Sequence, residues 1–133
     1  MIELTNTVAQ TIAPGQAVTF DKVLLHTGCG ERHRNGSNFV KLRPCAVYEV
    51  QFSGNIAPSA AGSVQLALAV SGYSLPETVM EYTSATPNVF GNVSTGTFVT
   101  NCCDDFDKVQ IVNTGTTPVL LSANFNLRIK RIA

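Results

Sequence analysis

The stretch from residue 46 to 56, Ala-Val-Tyr-Glu-Val-Gln-Phe-Ser-Gly-Asn-Ile, repeats with a period of two. Ala46, Tyr48, Val50, Phe52 and Ile56 are apolar, while Glu49, Gln51, Ser53 and Asn55 are polar. Successive side chains of a strand point to opposite faces, so this segment is a strand with one dry face and one face that is wet or covered by a partner. Near the end of the chain Leu121, Ala123, Phe125, Leu127 and Ile129 alternate in the same way with Ser122, Asn124, Asn126, Arg128 and Lys130. Two such strands so far apart predict one sheet that draws both ends of the chain over a common core. Phe52 and Phe125 are its expected anchors.

The rest of the chain reads as short strands and turns. Residues 1–16 are polar around isolated Val8 and Ile12 and end in Ala13-Pro14-Gly15-Gln16, which predicts an extended N-terminal arm ahead of a single domain over 17–133. A strand is expected at 17–25, with Asp21-Lys22 as a bulge, and others at 39–43 and 64–70. In 75–85, Pro76 at the start of a helical turn competes with the β-branched residues and Tyr82, which favour a strand at 78–83. Gly91 and Gly96 are expected to break a strand at 89–100, and 109–112 supplies a further one. Eight to ten short strands with no helix predict an all-β sandwich of the jelly-roll kind.

Charge narrows the surroundings. Charged residues make up only 14% of the chain against a usual value of about 25%, so much of the exterior is uncharged polar or faces other protein. A large subunit interface is expected. Nine basic and nine acidic residues cancel, which excludes a broad positive field and argues against nucleic acid as a partner. No apolar run reaches the roughly 20 residues of a membrane span, and the start lacks the basic-then-apolar pattern of a secretory signal. The four cysteines, Cys29, Cys45, Cys102 and Cys103, are accordingly read first as thiols.

The order of these elements resembles the C1q/TNF-like jelly-roll family. The resemblance rests on the strand around Phe20, the short strand ending near Arg43, the Tyr-x-Val core strand at Tyr48 and Val50, and the ending from Lys108 through the Thr-Gly turn to Ala123-Asn-Phe-Asn-Leu-Arg-Ile-Lys-Arg-Ile. More narrowly, the chain is similar to short stand-alone versions from Firmicutes bacteria and their phages. There a Cys-x-x-x-His-Arg-x-Gly-Ser element, here Cys29, His33, Arg34, Gly36 and Ser37, precedes the core strand, and a Cys-Cys pair, here Cys102 and Cys103, precedes a later one. Cys-Cys-Asp-Asp-Phe-Asp stands where a Gly-Asp turn is usual, and no collagen repeat precedes the domain. The resemblance implies a homotrimer, with one sheet of each copy packed around a threefold axis. Uncharged Gln51, Ser53, Asn55, Asn124 and Asn126 suit such a face, since burying charges there costs far more.

The chemistry-bearing residues are few. Cys29, His33, Cys102 and Cys103 are zinc-competent, but they lack Cys-x-x-Cys spacing, so no metal site and no cofactor is assigned. A disulfide from Cys29 to Cys102 or Cys103 is the alternative, with inert thiols the plainest reading. Asp104, Asp105 and Asp107 are either a calcium loop or a solvated acidic turn. His26 and His33 are the only histidines, and with no nucleophile elbow or phosphate loop the chain is not read as an enzyme. Glu31-Arg32-His33-Arg34 concentrates charge in a charge-poor chain and is the expected interface segment, together with Gln51, Asn124 and Asn126. The expected function is that of a structural virion protein, a trimeric decoration or head-associated protein of a bacteriophage. It would be assembled in the host cytoplasm, with itself and a major capsid or other virion protein as partners. The alternative is a surface module that binds a glycan or a protein, with Tyr73, Tyr82 and Phe90 rimming its pocket.

Overall fold

A computed structural model describes residues 1–101 and 107–133. The alternating stretch becomes β6 (Ala46–Pro58), flanked on one edge by β10 (Gly91–Asn101), whose residues pair from Gly91↔Ile56 to Asn101↔Ala46. The other edge of β6 carries two strands in succession, β12 (Val119–Leu121) against 56–58 and β13 (Asn126–Arg131) against 48–53. Beyond these lie β2 (Gln10–Ile12) on β12, then β1 (Ile2–Thr5) on β13, and β3 (Lys22–His26) outside β1, giving a seven-stranded antiparallel sheet. The second sheet has six strands in the order β4 (Glu31–Arg32), β5 (Val40–Leu42), β11 (Asp107–Val112), β7 (Gly62–Val70) and β8 (Tyr73–Ser74), with β9 (Met80–Ser84) on the first half of β7.

The dry parities of the two sheets face each other. Tyr48, Val50, Phe52 and Ile56 of β6 meet a core that includes Leu42, Leu66, Leu68, Val109 and Ile111, all essentially without solvent contact. Phe125 stands between Phe52 and Phe20, with ring centroids 5.5 and 5.6 Å apart. Gly54 sits on the same parity because Phe125 leaves it no room: a Cβ there would come within 3.0 Å of the Phe125 Cβ.

Several expectations are corrected. Residues 1–16 are not an arm: β1 is an interior strand between β13 and β3, with Ile2 and Leu4 buried in the core, and β2 adds Ile12. The polar parity of this segment hid the fact that three well-placed apolar residues suffice when the neighbouring strands supply the rest of the core. The final strand is not continuous. Leu121 pairs with Ile56 but Asn126 with Ser53, so two extra residues bend the chain at 122–125 and hand it from β12 to β13. Asn124 occupies that bend at φ 65° and is exposed, its N–H donating to the Asn6 carbonyl. Both readings of 75–85 hold in part, since a 3-10 turn at Pro76–Thr78 precedes β9. Gly91 and Gly96 do not break β10. The Tyr82 ring lies where a Gly91 side chain would be, its Cε1 only 2.2 Å from the Cβ position.

Phe52→Ala or Phe125→Ala should lower stability by about 3–5 kcal/mol, since each empties a large core position. A denaturant titration reads this as an earlier midpoint at unchanged slope. Deleting residues 1–5 unpairs β13 and β3 together, so thermal unfolding should begin far below that of the intact chain.

Candidate functional site

The wet face of the first sheet is the most distinctive surface. Strand register lays its side chains out in rows: Gly96, Gln51, Arg128 and Glu3 in one, Phe98, Glu49 and Lys130 in the next, Ser94, Ser53 and Asn126 in a third. The polar groups are linked. Gln51 Nε2 donates to Glu49 Oε1 at 2.9 Å, and Arg128 Nη2 donates to Gln51 Oε1. Asn126 Nδ2 donates to Glu3 Oε2 at 3.4 Å and Asn92 Nδ2 to Asn55 Oδ1 at 3.2 Å. On its central strands two acids, Glu3 and Glu49, thus balance two bases, Arg128 and Lys130, among amides and hydroxyls.

Two exposed apolar residues depart from that chemistry, Leu25 opposite Glu3 on β3 and, more strongly, Phe98. Phe98 stands on the wet parity of β10 and is 64% exposed. Next to it on the same face, Gly96 leaves a notch whose nearest side-chain atom is the Gln51 Cγ. Hollows of about 410 and 240 Å³ adjoin this notch, the first lined by Ser53, Ser94, Asn126 and Arg128, the second by Glu49 and Phe98. A projecting ring beside a recess on a charge-balanced, largely polar face is a geometry that suits docking of protein. Gln51 and Asn126, expected at an interface, lie here. Phe98 was not singled out in the sequence, although a large aromatic ring on a polar parity was a readable signal, and Gly96 was read only as a strand breaker.

The Glu31–Arg34 segment is of another kind. Glu31 is 1% exposed in β4, its Oε2 3.1 Å from the Met1 amine, so it lies inside the protomer rather than on a rim. His33 is half-buried, with Nδ1 3.0 Å from the Phe39 carbonyl oxygen and Nε2 3.1 Å from that of Phe20. Its ring stands edge-on to Phe20. With Nε2 facing the Phe20 carbonyl and Nδ1 facing the Phe39 carbonyl and the Ser37 hydroxyl, His33 ties the loop to the core. Arg32 and Arg34 are exposed, and they alone of the four keep the surface position expected.

Cys29 and Cys45 are exposed free thiols, and Cys102 and Cys103 lie outside the described residues, as do Asp104 and Asp105. Asp107 accepts the Ser71 hydroxyl at 2.9 Å. Among the described residues no three His, Cys, Asp or Glu side chains converge as metal ligands. Tyr73 and Phe90 are exposed as expected, but Tyr82 is laid over Gly91 and half-buried.

Tyr48 closes the end of the core beside Glu31. Its hydroxyl lies 3.2 Å from the Gly30 carbonyl and 3.1 Å from that of Arg43, sharing one proton between them. Burial, reinforced by the Glu31 carboxylate, pushes the phenol above its ordinary value of 10.0. A raised pKa means stability that is complete at neutral pH and declines as pH rises past the unfolded tyrosine's value toward the folded one. Tyr48→Phe should cost about 1–2 kcal/mol at pH 7 and should flatten the alkaline decline in a melting series above about pH 10.

No protein-family model matches the sequence, and a search of curated proteins finds no match. Solved structures do resemble the fold. Murine APRIL at pH 5.0 superposes with a TM-score of 0.72 at 11% identity, over 98% of this chain and 97% of that one. The globular domain of zebrafish complement 1qA gives 0.67 at 19% identity, over 96% and 94%. The PRD1 vertex protein P5 gives 0.55 at 12% identity, over 99% and 96%. At these identities the likeness speaks for architecture alone, and with nearly full coverage in both directions the architecture is that of a C1q/TNF-like jelly roll.

Proposed function

We propose that this chain is a non-enzymatic, self-associating jelly roll that serves as a structural virion protein, a trimeric decoration or head-associated protein of a bacteriophage. The observation that carries the reading is the wet face of the first sheet. Phe98 projects from a field of amides, hydroxyls and a charge-balanced set formed by Glu3, Glu49, Arg128 and Lys130. Such a face is expensive to leave in water around the ring and cheap to bury against a copy of itself, because its polar groups can exchange partners without stranding a net charge. In the proposed threefold arrangement the Gly96 notch of one copy is the recess offered to the Phe98 ring of the next. Likeness to the PRD1 vertex protein P5 supports a place on a particle, and the charge-poor exterior supports extensive protein contact. No helix among the described residues is long and apolar enough to cross a membrane. The neighbouring likenesses to APRIL and complement 1qA favour a role in binding over one in catalysis.

Light scattering coupled to size exclusion should give a mass about three times 14.2 kDa at micromolar concentration. Phe98→Glu should reduce it to one copy while leaving the far-ultraviolet spectrum unchanged, because the side chain stands on the wet parity of β10 and is 64% exposed. A monomeric wild-type protein rejects the self-association. Mass spectrometry of purified particles from the host strain tests the virion assignment, which fails if the chain is absent from them.

A further inference from the structure

On the side of the sandwich away from Phe98, β11 runs beneath two adjoining hollows of about 520 and 420 Å³. Both are lined by Gly15, Gln110 and Val112, so together they form one groove across the outer face of the second sheet. Ser74 stands in the first half, Asn38 and Thr19 in the second.

The walls of the groove are pinned. Asn113, 1% exposed, donates from Nδ2 to the carbonyls of Ile12 and Thr117 at 2.9 Å and accepts the Gly115 N–H at 2.9 Å. The facing turn hangs on the same residue, with Gly15 N–H donating to the Asn113 carbonyl and Asn113 N–H to that of Gln16, each at 2.9 Å. At the far end Ser71 N–H donates to the Lys108 carbonyl at 2.8 Å and its hydroxyl to Asp107. A groove held in this way is preformed, so a ligand bears little ordering cost.

The lining selects the ligand. No ionisable side chain lines either hollow, and Lys108, the cation next to Gln110 on the same parity of β11, is turned over the Phe39 ring at 4.7 Å, so an anion or a metal ion finds no counter-charge in the lining itself. Gln110, common to both halves, offers a donor and an acceptor on one amide, and its hydrogen bond from Nε2 to Asn38 Oδ1, at 3.4 Å, is long enough to yield to a better partner. Where Gly15 and Gly72 would carry a Cβ there is open space, which leaves the backbone of both turns approachable. Tyr73, between the lining residues Gly72 and Ser74, is 79% exposed and presents an apolar ring with a polar tip. An extended peptide gains little from strand addition here, because β11 is already paired with β5 and β7 and, through Ile111 and Asn113, with residues 16–18, and the edge strand beside the groove, β8, is only two residues long.

We propose that this groove binds a neutral oligosaccharide, with Gln110 and Ser74 as hydrogen-bonding contacts. Dense uncharged donors and acceptors on a rigid ring match amides and hydroxyls on a rigid floor. The site lies on the opposite face from the self-association surface, so the two readings stand or fall separately.

The test is calorimetric titration with maltohexaose, an N-acetylglucosamine tetramer and a panel of other neutral oligosaccharides, with trigalacturonate as the anionic control and a pool of neutral hexapeptides as the competing class. At least one neutral sugar should bind saturably with Kd below about 1 mM. Gln110→Ala should weaken it by about tenfold or more with melting temperature and mass unchanged, and Ser74→Arg, which lays a long cation in the groove, should abolish it. Phe98→Glu should leave sugar binding intact. The proposal is overturned if no neutral sugar binds up to about 10 mM, if trigalacturonate binds equally well, if only the peptides bind, or if binding survives both groove variants.

Discussion

The structure depends on the pairing of β6 along both of its edges. Over residues 48–53 this strand is hydrogen-bonded to β10 on one side and β13 on the other, and at Ile56 the second edge passes to β12. A strand so placed cannot slip by one residue without turning Tyr48, Val50, Phe52 and Ile56 out of the core and Glu49, Gln51 and Ser53 into it. Its register therefore fixes the register of the first sheet, and through Phe52 and Phe125 the spacing to Phe20 and the second sheet. Contacts of this kind join residues far apart in the chain, so the fold is assembled from non-local pairings and has few elements able to stand alone.

Among the described residues, ionisable groups are admitted to the interior at its end, where the loops close over it. Glu31, Tyr48 and His33 lie there, each tied to main-chain or terminal groups rather than left to solvent. Glu31 Oε1 is an exception, being buried without a hydrogen-bond partner among the described residues. Its carboxylate is one reason the Tyr48 phenol resists ionisation. Charge clustered in this segment thus builds the domain through Glu31 and His33, while Arg32 lies in register with Lys41 and Lys108 on the outer face of the second sheet.

The outer faces of the two sheets differ in a way that divides labour between them. The first sheet presents a projecting ring and a balanced set of ions, features that gain from burial against a matching surface. Outside the second sheet, glycine turns and small residues leave a groove with rigid walls and neutral hydrogen-bonding groups, features that suit a small polar ligand. A sandwich can carry both because its dry parities are consumed by the core, leaving each wet parity free to vary.

Alternation alone determined that this is an all-β sandwich, that 46–56 and the last strand share a sheet, and that Phe52 and Phe125 anchor the core, because a period of two records directly which face of a strand is dry. The candidate surface was half legible: Gln51 and Asn126 could be assigned to the wet face from their parity, and Phe98 was written on a polar parity for the same reason. Tertiary structure alone decided that residues 2–5 are an interior strand, since Ile2 and Leu4 acquire a core only once β13 and β3 lie beside them. It also decided that Glu31 is buried, that β12 and β13 part at a two-residue bend, and that Gly96 and Gln110 border hollows. Each of these follows from which distant segments become neighbours, a property of the whole packed chain that no local pattern of residues contains.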